Sequence, residues 1–315
     1  MPMVRYLLRR VASGIALLCL VSTVTFMMVF GATGNVARNI LGENATVDQL
    51  KALNSRLGLD RPLMVQFGDW VSHAVRGDLG PSWTMSESVA SALASRLPVT
   101  LSMVTIAVAL MALLSAMLGI AAAVRGGWAD RAIQIVSVAG FAMPNFWLGL
   151  LLVLTFSVKF GWLPATGYVS FSASPSAWAA SLVLPVTALV LSGIASASQQ
   201  IRGAVIDALK QDYVRTLRAR GVSPRSVLYR HALRNAMPAA LTVLSVQFIA
   251  LLGGAAVIER VFAIPGMGSL TVSAALIGDV PVLMGVVVTL IIVVVLVNIL
   301  VDLLNAWANP KVRMS

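Results

Sequence analysis

The chain has 315 residues, 58% of them hydrophobic and only 11% charged, with a mean hydropathy of +0.89. An ordinary soluble domain carries about 25% charge, so this composition excludes a soluble globular fold. The net charge of +11 invites a nucleic-acid reading, but the charges sort by membrane side, and that accounts for them without nucleic acid.

Uncharged runs long enough to cross the bilayer recur along the chain, the requirement being about 20 helical residues for about 30 Å of hydrocarbon. They cover residues 11–37, 97–124, 132–158, 160–201, 235–258 and 280–301. Arg5, Arg9 and Arg10 precede the first run. Its apolar stretch exceeds the roughly 7–15 residues of a signal-peptide core, so a retained anchor is expected. The lone cysteine, Cys19, lies inside it. One cysteine supports neither an intrachain disulfide nor a metal cluster, and it is expected to be a small packing residue.

Residues 32–96 form the first external segment, and their pattern predicts helices. Thr46-Val-Asp-Gln49 is a capping box, followed by Leu50, Leu53 and Leu57 at helical spacing and a stop at Gly58. After Pro62, the residues Leu63, Phe67, Trp70, Val71 and Ala74 share one face and end near Gly77. Ser86 is expected to cap a third helix that leads to Pro98, at the start of the second span. The segment reads as a small helical cap; a docking surface for an external partner is the sharper alternative.

The fourth run is too long for one span. Gly161, Pro164, Gly167 and Pro175 mark its first half as a loop, leaving about residues 182–201 as the helix. Six spans result. Pro144 and Pro185 fall within the third and fourth, where membrane helices tolerate proline. With the N-terminus in the cytoplasm, the cytoplasmic segments hold 15 Lys/Arg and four Asp, and the other side holds eight Lys/Arg and eight Asp/Glu. The whole +11 then lies on one face, as the positive-inside bias requires, with both termini cytoplasmic.

Much of that charge sits in residues 202–234. From Asp212 to Pro238 the chain reads as a short helix, a Gly221-Val-Ser-Pro224 break, and a second helix that enters the fifth span. Gly221 supplies backbone freedom, Pro224 fits the first turn of a helix, and Arg215 and Arg218 are i,i+3 neighbours. A basic loop facing anionic lipid would explain the charge but not this turn chemistry. The pattern is that of a structured surface gripping a soluble partner.

Absent motifs narrow the function further. The sequence has no Gly-x-x-x-x-Gly-Lys-Ser/Thr loop: neither Gly126-Gly127 nor Gly253-Gly254 is followed by the required lysine. No ionisable residue falls in mid-span, which disfavours an ion- or proton-coupled transporter. His73 and His231 lie outside the spans and no span carries an aspartate pair, which disfavours a membrane protease. No catalytic, cofactor-binding or metal-binding residue is expected.

The loop resembles the conserved cytoplasmic loop of permease subunits of binding-protein-dependent ABC importers. In detail the chain is similar to the first of the two permeases in the dipeptide/oligopeptide/nickel branch. Asp212-Tyr213-Val214-Arg215-Thr216, Ala219-Arg220-Gly221, His231-Ala-Leu-Arg-Asn-Ala236 and Pro238 carry the match. So do Leu57-Gly-Leu-Asp-Arg-Pro62 with Arg76-Gly-Asp-Leu-Gly80, Glu259-Arg-Val-Phe262 with Pro265-Gly-Met-Gly268, and Asp302-Leu-Leu with Asn309-Pro-Lys-Val-Arg313. Two departures stand out. Leu217 occupies a slot where the branch usually has alanine, and Arg215 replaces the acid of the general importer motif.

The resemblance implies an all-α, six-span, type I importer permease with an external helical segment after the first span. Its parts would be residues 1–31, the external 32–96, and a five-helix core at 97–315 carrying the coupling loop. It implies a peptide importer in the cell's inner membrane, with a nickel or other small-solute permease as the alternative. The path would form with a second homologous permease. One or two P-loop ATPase subunits would bind ATP and Mg, an extracytoplasmic solute-binding protein would deliver substrate, and lipid would surround the spans. ATPase coupling would rest on Asp212, Tyr213, Arg215, Thr216, Arg218, Ala219, Arg220, Gly221, Pro224, His231, Asn235 and Pro238. From another class, a scaffold that anchors an ATPase without a pore fits the same loop.

Overall fold

The computed structural model describes residues 2–31, 36–128, 131, 134–135 and 143–308. Asp130, most of the first half of the third apolar run, and the closing Asn309-Pro-Lys-Val-Arg313 stretch lie outside the described residues. The regular structure that is described is helical, with one isolated antiparallel bridge between Pro81 and Ser88.

Five described helices are long and apolar enough to cross a membrane: Leu8–Val29, Val89–Arg125, Pro175–Lys210, Pro224–Val261 and Val280–Trp307. The shortest has 22 residues, above the roughly 20 that the hydrocarbon requires. The third expected span is represented by Asn145–Leu152, which continues as a π-helical stretch, Val153–Lys159. That piece is shorter than a span, and the remainder of the run falls outside the described residues apart from 134–135 and 143–144. The chain is an all-α, multi-pass membrane protein. In lipid, helices satisfy every backbone donor and acceptor internally.

Residues 36–96 fold largely as their pattern predicts. Thr46 caps the Val47–Leu57 helix, its hydroxyl accepting from Gln49 N while Gln49 Oε1 accepts from Thr46 N. Gly58 ends that helix at φ +71°, and Pro62 precedes the Leu63–Ala74 helix. Two expectations change. Ser88, not Ser86, offers the capping oxygen, accepting from Ser91 N at 3.2 Å. The helix that follows runs unbroken from Val89 through Pro98 to Arg125, so the third external helix and the second span are one element. Proline removes a single amide donor there, a loss that a long apolar helix absorbs.

Two short helices were hidden by their apolar neighbours. Val36–Leu41 begins inside what the pattern gives to the first span, and Met267–Ile277 precedes the last. Pro144 precedes the helix starting at Asn145. Pro185 does sit inside the Pro175–Lys210 helix. Cys19 is exposed on the first helix rather than packed.

The chain divides into two compact units, which cross the division by chain order. One holds residues 8–99 and 265–295; the other holds 1–7, 100–264 and 296–315. In the first unit, Val89, Ala92 and Leu93 pack with Met267, Leu270 and Ala274 and with Val282, Leu283 and Val286. Gly285 permits this approach: a Cβ there would lie 2.5 Å from Val89 Cγ1. Phe26, Val280 and Met284 form a neighbouring cluster with Phe67, Trp70 and Trp83 around them. Asp279 is fully buried beside it. Its Oδ2 accepts from Ser82 Oγ at 2.6 Å, Thr84 Oγ1 at 2.8 Å and Thr84 N at 3.1 Å, while Oδ1 accepts from Val282 N. A buried carboxylate needs such donors, because desolvation otherwise penalises it heavily. The sequence counted Asp279 among external charges; in the structure it is a buried clamp.

In the second unit, small residues let long helices approach. A Cβ on Gly193 would sit 2.3 Å from Met111 Cε, and one on Gly119 would sit 2.8 Å from the Ser198 carbonyl oxygen. Membrane helices lack a hydrophobic drive toward one another, so close backbone packing of this kind supplies much of their association. Ser174 caps the Pro175–Lys210 helix by accepting from Ala177 N, with Pro175 at the first helical position.

Candidate coupling loop

The loop is built from the end of one span and the start of the next. The Pro175–Lys210 helix stops at Gln211, whose backbone is extended at φ −64° and ψ 148°. A new helix, Asp212–Ala219, begins at once. Its first-turn aspartate faces the positive end of the helix dipole, and Thr216 Oγ1 donates to the Asp212 carbonyl at 3.2 Å. Asp212 also meets Arg215 at 3.5 Å, but both side chains are more than four-fifths exposed, so solvent screens the pair.

Gly221 then reverses the chain at φ +77°. Its N–H donates to Arg218 O at 3.0 Å, and Val222 N donates to Leu217 O at 3.1 Å, closing the end of the short helix. Ser223 is extended and its hydroxyl accepts from Ser226 N, so Pro224 occupies the first helical position as the sequence suggests. The chain continues through a π-helical turn, Val227–Ala232, into the Leu233–Val261 helix. Such turns mark irregularities that membrane helices often place at working sites.

Packing fixes the loop on one side only. Val214 is the fully buried residue of the short helix. Leu228, Ala232 and Ala236 form a cluster with Ile201, Val205 and Ala208 from the preceding helix. Tyr213 OH accepts from Asn235 Nδ2 at 3.3 Å, tying the short helix to the next long one. The other side is open. Asp212, Arg215, Thr216, Arg218, Ala219, Arg220, Gly221 and Pro224 are exposed, and so is Asn235; His231 and Pro238 are half-buried. From residue 207 to residue 235, seven Lys/Arg stand against two Asp.

Sequence reasoning singled out the exposed arginines but missed two contributors. Val214, an unremarkable aliphatic residue, is the buried residue of the short helix, and nothing in the sequence around it marks it as such. Tyr229 is 65% exposed on the π-helical turn, an aromatic face beside the basic one. Its signal was the rarity of an aromatic in a polar stretch.

Residues 115–314 match the family described as binding-protein-dependent transport system inner membrane component. Residues 3–104 match the companion description of the N-terminal part of such membrane components. A peptide transport system permease protein of Brucella abortus is 40% identical over 312 residues, covering 99% of each chain. A peptide ABC transporter permease protein of Sinorhizobium fredii is 36% identical over 309 residues, covering 98% of this chain and 99% of its own. A glutathione transport system permease protein of Escherichia coli is 36% identical over 312 residues, covering 99% of both. The chain therefore belongs to the binding-protein-dependent transport system inner membrane component family, as a multi-pass permease subunit of an ABC importer and not an enzyme.

Proposed function

We propose that this chain is one of two permease subunits of an ATP-driven peptide importer. The path forms with a second, similar permease. The short helix Asp212–Ala219 is the lever through which one or two ATPase subunits act. ATP and Mg bind to those subunits, and an extracytoplasmic solute-binding protein delivers the substrate. Both termini and the basic loop face the cytoplasm.

The observation that carries the reading is the one-sided fixing of the loop. Val214 and the Tyr213–Asn235 bond hold the helix to the ends of two long helices, while Arg215, Arg218 and Arg220 stay open. A helix so attached transmits a push on its free face to both long helices. A free face this basic suits a partner groove that offers carboxylates. The peptide assignment is supported by the relatives named as peptide and glutathione permeases.

The test is reconstitution with the second permease, the ATPase subunits and the binding protein in vesicles. Uptake of labelled dipeptide, of glutathione and of nickel ion is then compared. The expected result is uptake of peptide, dependent on ATP and on the binding protein, with no uptake of nickel. The chain by itself should hydrolyse no ATP. Uptake of nickel alone would replace the substrate. Nucleotide-independent retention of the ATPase with no transport of any solute would reduce the chain to a scaffold.

A further inference from the structure

Glu259 lies in the last turn of the Leu233–Val261 helix and is completely buried. The sequence placed it just beyond a span and counted it among the external charges. In the structure its Oε1 accepts a hydrogen bond from Thr100 Oγ1 at 2.6 Å, across 159 residues of chain. Its main-chain carbonyl accepts from Ile264 N at 2.8 Å. One residue thus binds a distant helix through its side chain and its own outgoing turn through its backbone.

The turn between is tightly determined. Phe262 N donates to Ile258 O, and Ala263 N donates to Arg260 O. Ala263 is left-handed at φ +50°, unlike every other described residue with a side chain. Such a conformation persists only where the surroundings impose it. They do: the Phe262 carbonyl accepts from Gly167 N at 2.8 Å, and the Phe262 ring lies so close to Gly149 that a Cβ there would come within 3.2 Å. Thr100, Gly149 and Gly167 belong to three separate segments of the same compact unit. All three converge on residues 259–264.

An apolar residue at 259 would avoid the desolvation of a carboxylate, so the carboxylate has to do something a methyl group cannot. What it does on this geometry is hold Thr100. We propose that Glu259 is a positioning residue of the permease. Through its bond to Thr100 it fixes the corner at 259–264, so that the end of the Leu233–Val261 helix and the stretch of the Val89–Arg125 helix from Thr100 onward move as one body when the path opens. The claim rests on the reading of the chain as an ATP-driven permease. It assigns the effect to the bond and not to the charge. Glu259→Gln keeps an acceptor oxygen for Thr100 and Thr100→Ser keeps the donor; Thr100→Val keeps the shape and loses the bond.

Two readouts test it. In a Cys19→Ser background, Ile264→Cys places a reporter at a site that is 1% exposed. Labelling by a thiol reagent in membranes should be slow. Thr100→Val and Glu259→Leu should each raise its rate about tenfold, the size of one hydrogen bond to a charged acceptor. Thr100→Ser and Glu259→Gln should stay within about threefold of the parent. In the reconstituted importer, solute moved per ATP hydrolysed should fall about tenfold in the first two variants and little in the second two, with subunit assembly intact. The Thr100→Val variant keeps the test decisive if Glu259→Leu fails to fold. Glu259→Gln as damaging as Glu259→Leu, with Thr100→Val harmless, would show that the charge matters and overturn the proposal. Equal labelling in all variants would overturn it too. Labelling needs no substrate, so a parent importer that moves no peptide sinks the substrate assignment and leaves the corner to be judged on labelling.

Discussion

At Gly221 the left-handed turn of the loop costs nothing, because glycine has no Cβ to collide with the following carbonyl. No heavy atom lies within 4 Å of where a Cβ would stand, so any substitution there acts through the backbone and not through a clash. An L-residue held left-handed costs roughly 1–2 kcal/mol, asparagine less than most and a β-branched residue more. Gly221→Val should therefore re-aim the short helix. Retention of ATPase subunits in a pull-down should fall about tenfold, and uptake with it, while membrane insertion is unchanged. Gly221→Asn should lose no more than about threefold. Equal, undiminished retention in both variants would mean that this turn does not set the lever. The buried carboxylates teach the same lesson from the other side. Asp279 and Glu259 are tolerated because each finds donors within 3.4 Å, at helix ends where the chain can bring hydroxyls to them.

The short helix Asp212–Ala219 has eight residues, too few to be stable alone in water. Its persistence depends on docking, and Val214 is the residue that docks. Removing two methyl groups from a buried valine costs about 1.5 kcal/mol, and placing a carboxylate in the same spot costs considerably more. Trypsin should then reach Arg218 and Arg220 in inside-out vesicles about tenfold faster in Val214→Ala than in the parent, and at once in Val214→Asp. An unchanged cleavage rate in Val214→Asp would show that the helix is held by something other than its buried face.

For the whole molecule, the segregation of charge predicts that residues 32–96 lie outside and the basic loop in the cytoplasm. Position 75 is 83% exposed in the segment expected outside, and Arg225 is exposed in the loop. In a Cys19→Ser background, which removes the exposed native thiol, an impermeant thiol reagent added to right-side-out cells should label Val75→Cys and spare Arg225→Cys. The reverse pattern would invert the topology and place the basic loop outside, away from any ATPase.

Apolar run length and turn residues are local quantities, and they settled much of this protein's secondary structure. The runs set the all-α membrane class, since about 30 Å of hydrocarbon admits little else. Thr46 with Gln49, Gly58, Gly221 and Pro224 announce their own turns, because caps and left-handed positions depend on residues a few places apart. What the sequence could not reveal depends on residues far apart in the chain. A run of apolar residues does not say where one helix stops and the next starts, so the fusion of external helix and second span through Pro98 and the short Met267–Ile277 helix emerged only on folding. Nor does a valine in a basic loop declare that it is the buried one. Glu259 looked like a charge beyond a membrane helix. Only the tertiary structure, by carrying Thr100 to within 2.6 Å, made it an interior bond, because a carboxylate's burial is decided by the donors that distant segments bring to it.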